Sequence, residues 1–188
     1  DDTTMNMIQT GNNCVNIQVN GSLVVNGISI GGQSKDPGKV ETKLLDCGAG
    51  FDKIFCEVGE LVVNIAPKFS CKVTGTKNYL DMLNFKVENQ VAYISLKRGT
   101  IVGGSLKIEI ELPHLVNFNT SNACDAVIKG INEPLLSLSL KDVSCIEVHG
   151  KVDKLTVNTE DVSKLFAFKL AATDCVVIAS DCSIVRVS

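Results

Sequence analysis

The sequence predicts an all-β chain whose C-terminal part is a stack of coils, each about 20 residues long. Three observations lead there. The chain carries a gapless internal repeat. Its apolar content is mostly Val, Ile and Leu, with aromatics at only 5%, a bias toward pleated, half-buried surfaces. No segment sustains a 3.6-residue apolar period, so almost no helix is expected.

The repeat comprises four segments, Val116–Ile128, Leu136–Val148, Leu155–Ala167 and Cys175–Val187, whose starts differ by 20, 19 and 20 residues. Aligned columns read Phe118, Leu138, Val157, Val177, and Ala126, Ile146, Leu165, Val185. Another reads Ile128, Val148, Ala167, Val187, and a polar corner column reads Asn122, Asp142, Asp161, Asp181. Each unit is strand, polar corner, strand. Leu136, Leu138 and Leu140 alternate with Ser137 and Ser139, which separates an inward from an outward face. One coil cannot bury its apolar face alone. Stacking coils at about 4.8 Å pairs each strand in parallel with its copy in the next coil and makes the core continuous. A β-solenoid, β-helix-like, therefore follows. A β-sandwich also has short strands at regular spacing, but has no reason to repeat an acidic corner every turn.

Upstream of the repeat, strands are expected at Lys53–Val58, Leu61–Ala66, Ser70–Thr74, Leu83–Val87, Val91–Leu96 and Ser105–Leu112. In the last, Ile108, Ile110 and Leu112 alternate with Glu109 and Glu111. Asn78–Leu83 is the place for a short helical turn. Residues 1–38 differ from the rest, being rich in Asn, Gly, Gln and Ser, with apolar stretches at Val15–Val19 and Leu23–Val25. Asn20-Gly21 and Asn26-Gly27 are turn signals. The stretch 31–38 reads as a linker. The expected division is an N-terminal segment of one or two strands over 1–38 and a solenoid domain over 39–188.

A hydrophobic share of 45% is too high for a disordered chain. Net charge is −3 with no run of Lys or Arg, so no nucleic-acid partner is expected. No apolar run approaches the roughly 20 residues of a membrane span. The eight cysteines show neither CxxC pairs nor zinc-type spacing. Cys47 and Cys56 flank Gly48-Ala49-Gly50-Phe51 and could close a small loop, while Cys14 and Cys71 have no obvious partner. Free buried thiols are the other reading.

Several strings resemble a known family. Gly50-Phe51-Asp52-Lys53-Ile54, Leu61-Val62-Val63-Asn64-Ile65, and the stretches Leu80–Val87 and Val91–Lys97 look like the opening of the auto-transporter adhesin head GIN domain. Leu112-Pro113-His114-Leu115 followed by Asn122–Gly130 is similar to a later stretch of that family, and Val24–Ile30 to its leader. The resemblance covers about residues 24–188. It implies a right-handed parallel β-solenoid in an exported bacterial protein. It carries over no catalytic residue and no cofactor. The compartment it implies is extracytoplasmic (periplasmic, cell-surface or secreted), with a removed signal peptide ahead of Asp1-Asp2-Thr3-Thr4. A trimmed chain explains that start equally well.

Two constellations could carry chemistry. Stacked corner residues Asn122, Asp142, Asp161 and Asp181 would line one edge about 5 Å apart. Each side chain either caps its own turn by accepting backbone N–H bonds or joins a Ca²⁺ ladder. The calcium-binding nonapeptide pattern with paired glycines is absent. The second constellation is the outward side of the first strand: Asn117, Ser137, Thr156 in one row and Asn119, Ser139, Asn158 in the next. Val176 and Ile178 end the two rows. These small polar residues form a candidate binding face for a surface ligand, glycan or protein; otherwise they are a solvated sheet face. Sugar binding leans on exposed rings, and only Phe166 suggests itself as one.

Acidic residues are scattered, and neither His114 nor His149 stands in a nucleophile context such as GxSxG. The expected function is thus a non-catalytic, adhesin-like binding module of the cell envelope. A carbohydrate-active lyase or hydrolase on a β-helix and a self-assembling structural element are the alternatives. An open solenoid end exposes unpaired backbone, so the C-terminal end needs cover from the N-terminal segment, a loop or a second copy, the last making a homodimer contact there.

Overall fold

The computed structural model describes residues 3–7, 21–25, 28–31, 36–180 and 184–187, with side chains over 36–180 other than that of residue 168. Among the described residues strands dominate, with one short helix, and the fold is all-β.

Strands β1 (Thr3–Met7), β2 (Gly21–Val25) and β3 (Ile28–Gly31) form a three-stranded sheet. One or two strands were expected there. β2 and β3 run antiparallel with Val25 opposite Ile28. Residues 26 and 27 lie outside the described residues, as do the Val15–Val19 stretch and positions 32–35 of the expected linker.

A second sheet holds the remaining strands. In chain order they are β4 (Val40–Leu45), β5 (Lys53–Ile65), β6 (Ser70–Thr76), β7 (Leu83–Glu88), β8 (Val91–Leu96) and β9 (Leu106–Leu112). Then come β10 (Asn117–Leu140), β11 (Cys145–Thr159), β12 (Lys164–Ala179) and β13 (Ile184–Val187). Helix α1 (Lys77–Met82) joins β6 to β7, where the sequence places a helical turn. The sheet is open and mixed, in the order β13-β12-β11-β10-β5-β9-β6-β4, with β8 also on β5 and β7 on β8.

The repeat columns are hydrogen-bonding registers. Asp125 pairs with Cys145, Cys145 with Lys164 and Lys164 with Ile184, all in parallel. Leu138 pairs with Val157, and Val157 with Val177. Between the two ends of β10, the Ser137 N–H donates to the carbonyl of Val116, just before the strand, and the N–H of Lys141, just after it, to the Thr120 carbonyl, both at 3.0 Å. That register sets Phe118 beside Leu138. Successive turns of the repeat therefore lie side by side.

Two features depart from a purely parallel stack. β6 runs antiparallel to both of its neighbours, β4 and β9, and β7 runs antiparallel to β8. The β7–β8 turn is Asn89-Gln90, both at positive φ (51° and 65°), which is a type I′ hairpin. Moreover, β5 is an interior strand. Ile54 lies beside Ala92 on one side and Phe118 on the other, and Leu61 lies between Ile108 and Ala126. The chain leaves β5, makes its hairpins, and only then returns to stack β10 on the free side of β5.

The core is the sum of the inward columns. Ile54, Ala92, Phe118, Leu138 and Val157 form one; Leu61, Ile108, Ala126, Ile146 and Leu165 form another; all are buried. Each such large side chain contributes roughly 1.5–3 kcal/mol by leaving water. The corners between columns are built by the polar column. Asn122, Asp142 and Asp161 have φ of 56°, 59° and 60°. This left-handed conformation costs most residues roughly 1–2 kcal/mol, and Asn and Asp tolerate it best after Gly. Two residues on, the buried Ser144 and Ser163 hydroxyls donate to the carbonyls of Lys141 (2.8 Å) and Glu160 (2.6 Å). At the opposite bend, Gly150 has φ 134°, and a Cβ there would lie 2.1 Å from the Ile131 carbonyl oxygen.

Candidate functional site

Alternation within the first strands fixes which side chains face outward. Asn117, Asn119, Ser137, Ser139 and Thr156 are half-buried and Asn158 is exposed. Ser137 pairs with Thr156 and Ser139 with Asn158, while Asn117 sits beside Ser137. The two predicted rows are thus brought together on one face.

The face is longer than the repeat suggests. Because β5 and β8 share the ladder, Lys53 pairs with Asn117 and with Val91, and Phe55 pairs with Asn119 and with Tyr93. One row therefore runs Tyr93, Phe55, Asn119, Ser139, Asn158, Ile178. At about 4.8 Å per step it extends roughly 24 Å. The rings of Phe55 and Tyr93 lie 6.2 Å apart, tilted by 45°. Tyr93 is 40% exposed. These rings put aromatic surface on this face, whereas Phe166 was the one such ring that the sequence suggested. Their outward direction was legible from the apolar neighbours Ile54/Cys56 and Ala92/Ile94; their neighbourhood to Asn119 was not.

Phe166 lies elsewhere, on the outward side of the second strands, opposite Glu147. With Glu60, Asp125 and Glu147 it lines a shallow cavity of about 650 Å³.

A smaller cavity, about 390 Å³, adjoins the face at the start of the first strands. Asp52, Gln90 and Val116, which line it, immediately precede Lys53, Val91 and Asn117. His114 Nδ1 is 2.8 Å from Glu133 Oε1, the imidazole exposed and the carboxylate only 8% exposed. Phe69, 41% exposed, packs its ring over Gly50 and 5.5 Å from the ring of Phe51. Asp52 Oδ1 accepts no hydrogen bond; Lys53 Nζ stands 3.4 Å away. His149 is remote in sequence from this pair, with Nε2 3.2 Å from Glu147 Oε1.

In the corner column, Asp142 accepts a backbone N–H as expected, but from a different turn. Asp142 Oδ2 accepts the N–H of Asn122 at 2.9 Å, so it ties one coil to the preceding one and does not cap its own turn. The Val143 N–H donates to the Asn122 carbonyl at 3.0 Å. Asp181 lies outside the described residues. Among the described residues, no three His, Cys, Asp or Glu side chains converge as a metal site would require. Cys47 and Cys56, which could have closed a small loop, do not meet, and both are free thiols, the other reading of the sequence. Cys47 lies against Cys71 and Cys56 against Cys124, because β6 and β10 bring those cysteines next to them.

The profile of the family described as "Putative auto-transporter adhesin, head GIN domain" matches residues 51–184. The chain belongs to this family. Solved structures share the fold of this GIN domain. One, described as a putative adhesin from Bacteroides fragilis, has a TM-score of 0.64 at 17% identity over 78% of each chain. A second, from Parabacteroides merdae and described likewise, has 0.58 at 12% identity over 80% of this chain and 81% of its own. A third, from Parabacteroides distasonis and described as a putative lipid binding protein, has 0.53 at 18% identity over 80% and 82%. No curated protein matches the chain. Among the described residues of the GIN domain, no helix is long and apolar enough to cross a membrane.

Proposed function

We propose that this chain is a non-catalytic, extracytoplasmic binding module on a right-handed parallel β-solenoid of about 20 residues per rung. Residues 39–188 form the solenoid and residues 1–38 an appended segment. Its ligand is a glycan that lies along the outward face of the first strands. The observation that carries this reading is the continuity of that face. The Phe55 and Tyr93 rings stand in one row with Asn119, Ser139 and Asn158. Rings take the apolar faces of sugars, and amides and hydroxyls take their hydroxyl groups.

A glycan array probed with the full chain, then with Ser139→Arg and Asn158→Arg, tests it. Both variants are expected to keep the wild-type Tm and lose the glycan signal. Signals that survive both variants overturn the assignment of this face. Capture of a protein and no glycan would replace the ligand class.

The carbohydrate-active alternative has one observation in its favour, the His114–Glu133 pair beside Asp52. Release of reducing ends from a polysaccharide panel, abolished by Glu133→Gln, would favour it. A contact between copies at the C-terminal end of the stack is supported by Val176, Val177 and Ile178, exposed by 49%, 41% and 61%. Val177 occupies the inward column of Leu138 and Val157. Light scattering that finds only monomer at high concentration would sink this contact.

A further inference from the structure

Four cysteines meet in two pairs. The Cys47 and Cys71 sulfurs are 2.9 Å apart, and those of Cys56 and Cys124 are 3.0 Å apart. These separations are shorter than ordinary contact between carbon atoms, about 3.5–4.0 Å, although sulfur is the larger atom. All four are thiols here. Each pair joins separate parts of the chain. Cys47 follows β4 and meets Cys71 on β6. Cys56 on β5 and Cys124 on β10 lie either side of the corner at Asn122, where the β5–β10 register shifts. In later coils the place of Cys124 is taken by Ser144 and Ser163, whose hydroxyls donate to carbonyls of their own turns, that of Ser163 also to the Asp142 carbonyl one coil earlier. At this corner it is the Cys124 sulfur that meets a sulfur of the neighbouring strand.

We propose that two disulfides staple this chain, Cys47–Cys71 and Cys56–Cys124, the first closing in the folded protein and the second only during folding. Accessibility sets that order. Cys47 is half-buried, whereas Cys71 is 2% exposed and Cys56 and Cys124 are fully buried. Burial, with the contact to Cys47 adding, pushes the Cys71 thiol up, which leaves Cys47 as the attacking sulfur. The Cys47 thiolate attacks a disulfide oxidant, either glutathione disulfide or a thiol–disulfide oxidoreductase. A mixed disulfide forms and one oxidant sulfur leaves as thiolate. The Cys71 thiolate then attacks the Cys47 sulfur and expels the second. The two cysteines lose two electrons and two protons; the oxidant gains the electrons, and both protons pass to its thiolates or to solvent. Cys56 and Cys124 undergo the same exchange, but no oxidant reaches them once the corner has closed.

The closed loops differ in span, with sequence separations of 24 and 68 residues. The longer one restricts the unfolded chain more. Each bond is expected to raise Tm by roughly 10 °C.

The test uses the full chain, reduced and folded, equilibrated with glutathione disulfide, then alkylated and mapped by mass spectrometry. Cys47 and Cys71 are expected as one linked peptide pair, while Cys56 and Cys124 react with alkylator only after unfolding. Refolding in the same oxidant is expected to link Cys56 to Cys124 as well. Cys71→Ser should arrest Cys47 as its glutathione mixed disulfide. Cys124→Ser installs the residue that the other corners carry, so it should fold and, after oxidative refolding, leave Cys56 a thiol that takes alkylator once the protein is denatured. Cys47 linked to Cys56, or four alkylated thiols after oxidative refolding, overturns the proposal. So does closure of Cys56–Cys124 in the folded protein at the rate of Cys47–Cys71, as far as the order is concerned.

Discussion

The carboxylate of Asp142 accepts the backbone N–H of Asn122 at 2.9 Å, twenty residues earlier in the chain. Asp142 is itself in the left-handed conformation. One residue thus turns its own corner and ties it to the corner before. Asp142→Gly loses the tie but keeps the backbone geometry, and is expected to cost about 1–2 kcal/mol. Asp142→Ala loses the tie and adds left-handed strain, for about 2–4 kcal/mol in total. Urea denaturation of the two variants separates the terms; equal losses would remove the backbone part of this account.

The same tie bears on cations. With Asp142 Oδ2 engaged by Asn122, millimolar Ca²⁺ is expected to leave Tm unchanged. A rise in Tm that Asp142→Asn abolishes would place a cation at the corner column.

Gly150 is the least replaceable residue at the opposite bend. A methyl group would sit 2.1 Å from the Ile131 carbonyl oxygen, on backbone with φ 134°. Gly150→Ala is expected to cost about 3 kcal/mol or more. The soluble yield and the denaturation midpoint check it.

Phe118 and Phe55 separate stability from binding. Phe118 is fully buried between Ile54 and Leu138, and Phe118→Ala should cost about 3–5 kcal/mol. Phe55 is half-buried on the outward face. Phe55→Ala should cost less than half as much while weakening glycan binding about tenfold, a reading taken by titration calorimetry.

Helix α1 carries a salt-dependent contribution. A hydrogen bond from Lys77 holds the Asp81 carboxyl below its usual value. A carboxylate depressed in the folded state stabilises above its unfolded value, about 3.9, and that contribution fades as pH falls through the folded value. Protection of the α1 amides should therefore drop below about pH 4 in hydrogen exchange. Asp81→Asn should remove the pH dependence, and high salt should shrink it.

Much of the fold was legible in particular residues. The columns headed by Phe118 and Ala126 are pairing registers, because a coil that must bury one face can stack only on its own period. Asn122, Asp142 and Asp161 repeat because they are residues that accept left-handed backbone. Ser144 and Ser163 repeat with them as buried plugs, a role the letters carry but do not declare. The site was half legible. Asn119, Ser139 and Asn158 fall in one row by periodicity alone, yet Phe55 and Tyr93 do not.

By itself, the sequence determined the strand content, the spacing of the repeat and which side of each strand faces inward, since all three are local periodicities. Only the tertiary structure decided that β5 lies inside the ladder, with rings beside amides and Cys56 beside Cys124. Such contacts join segments far apart in the chain. No local pattern encodes them, because they depend on which free strand edge the returning chain pairs with.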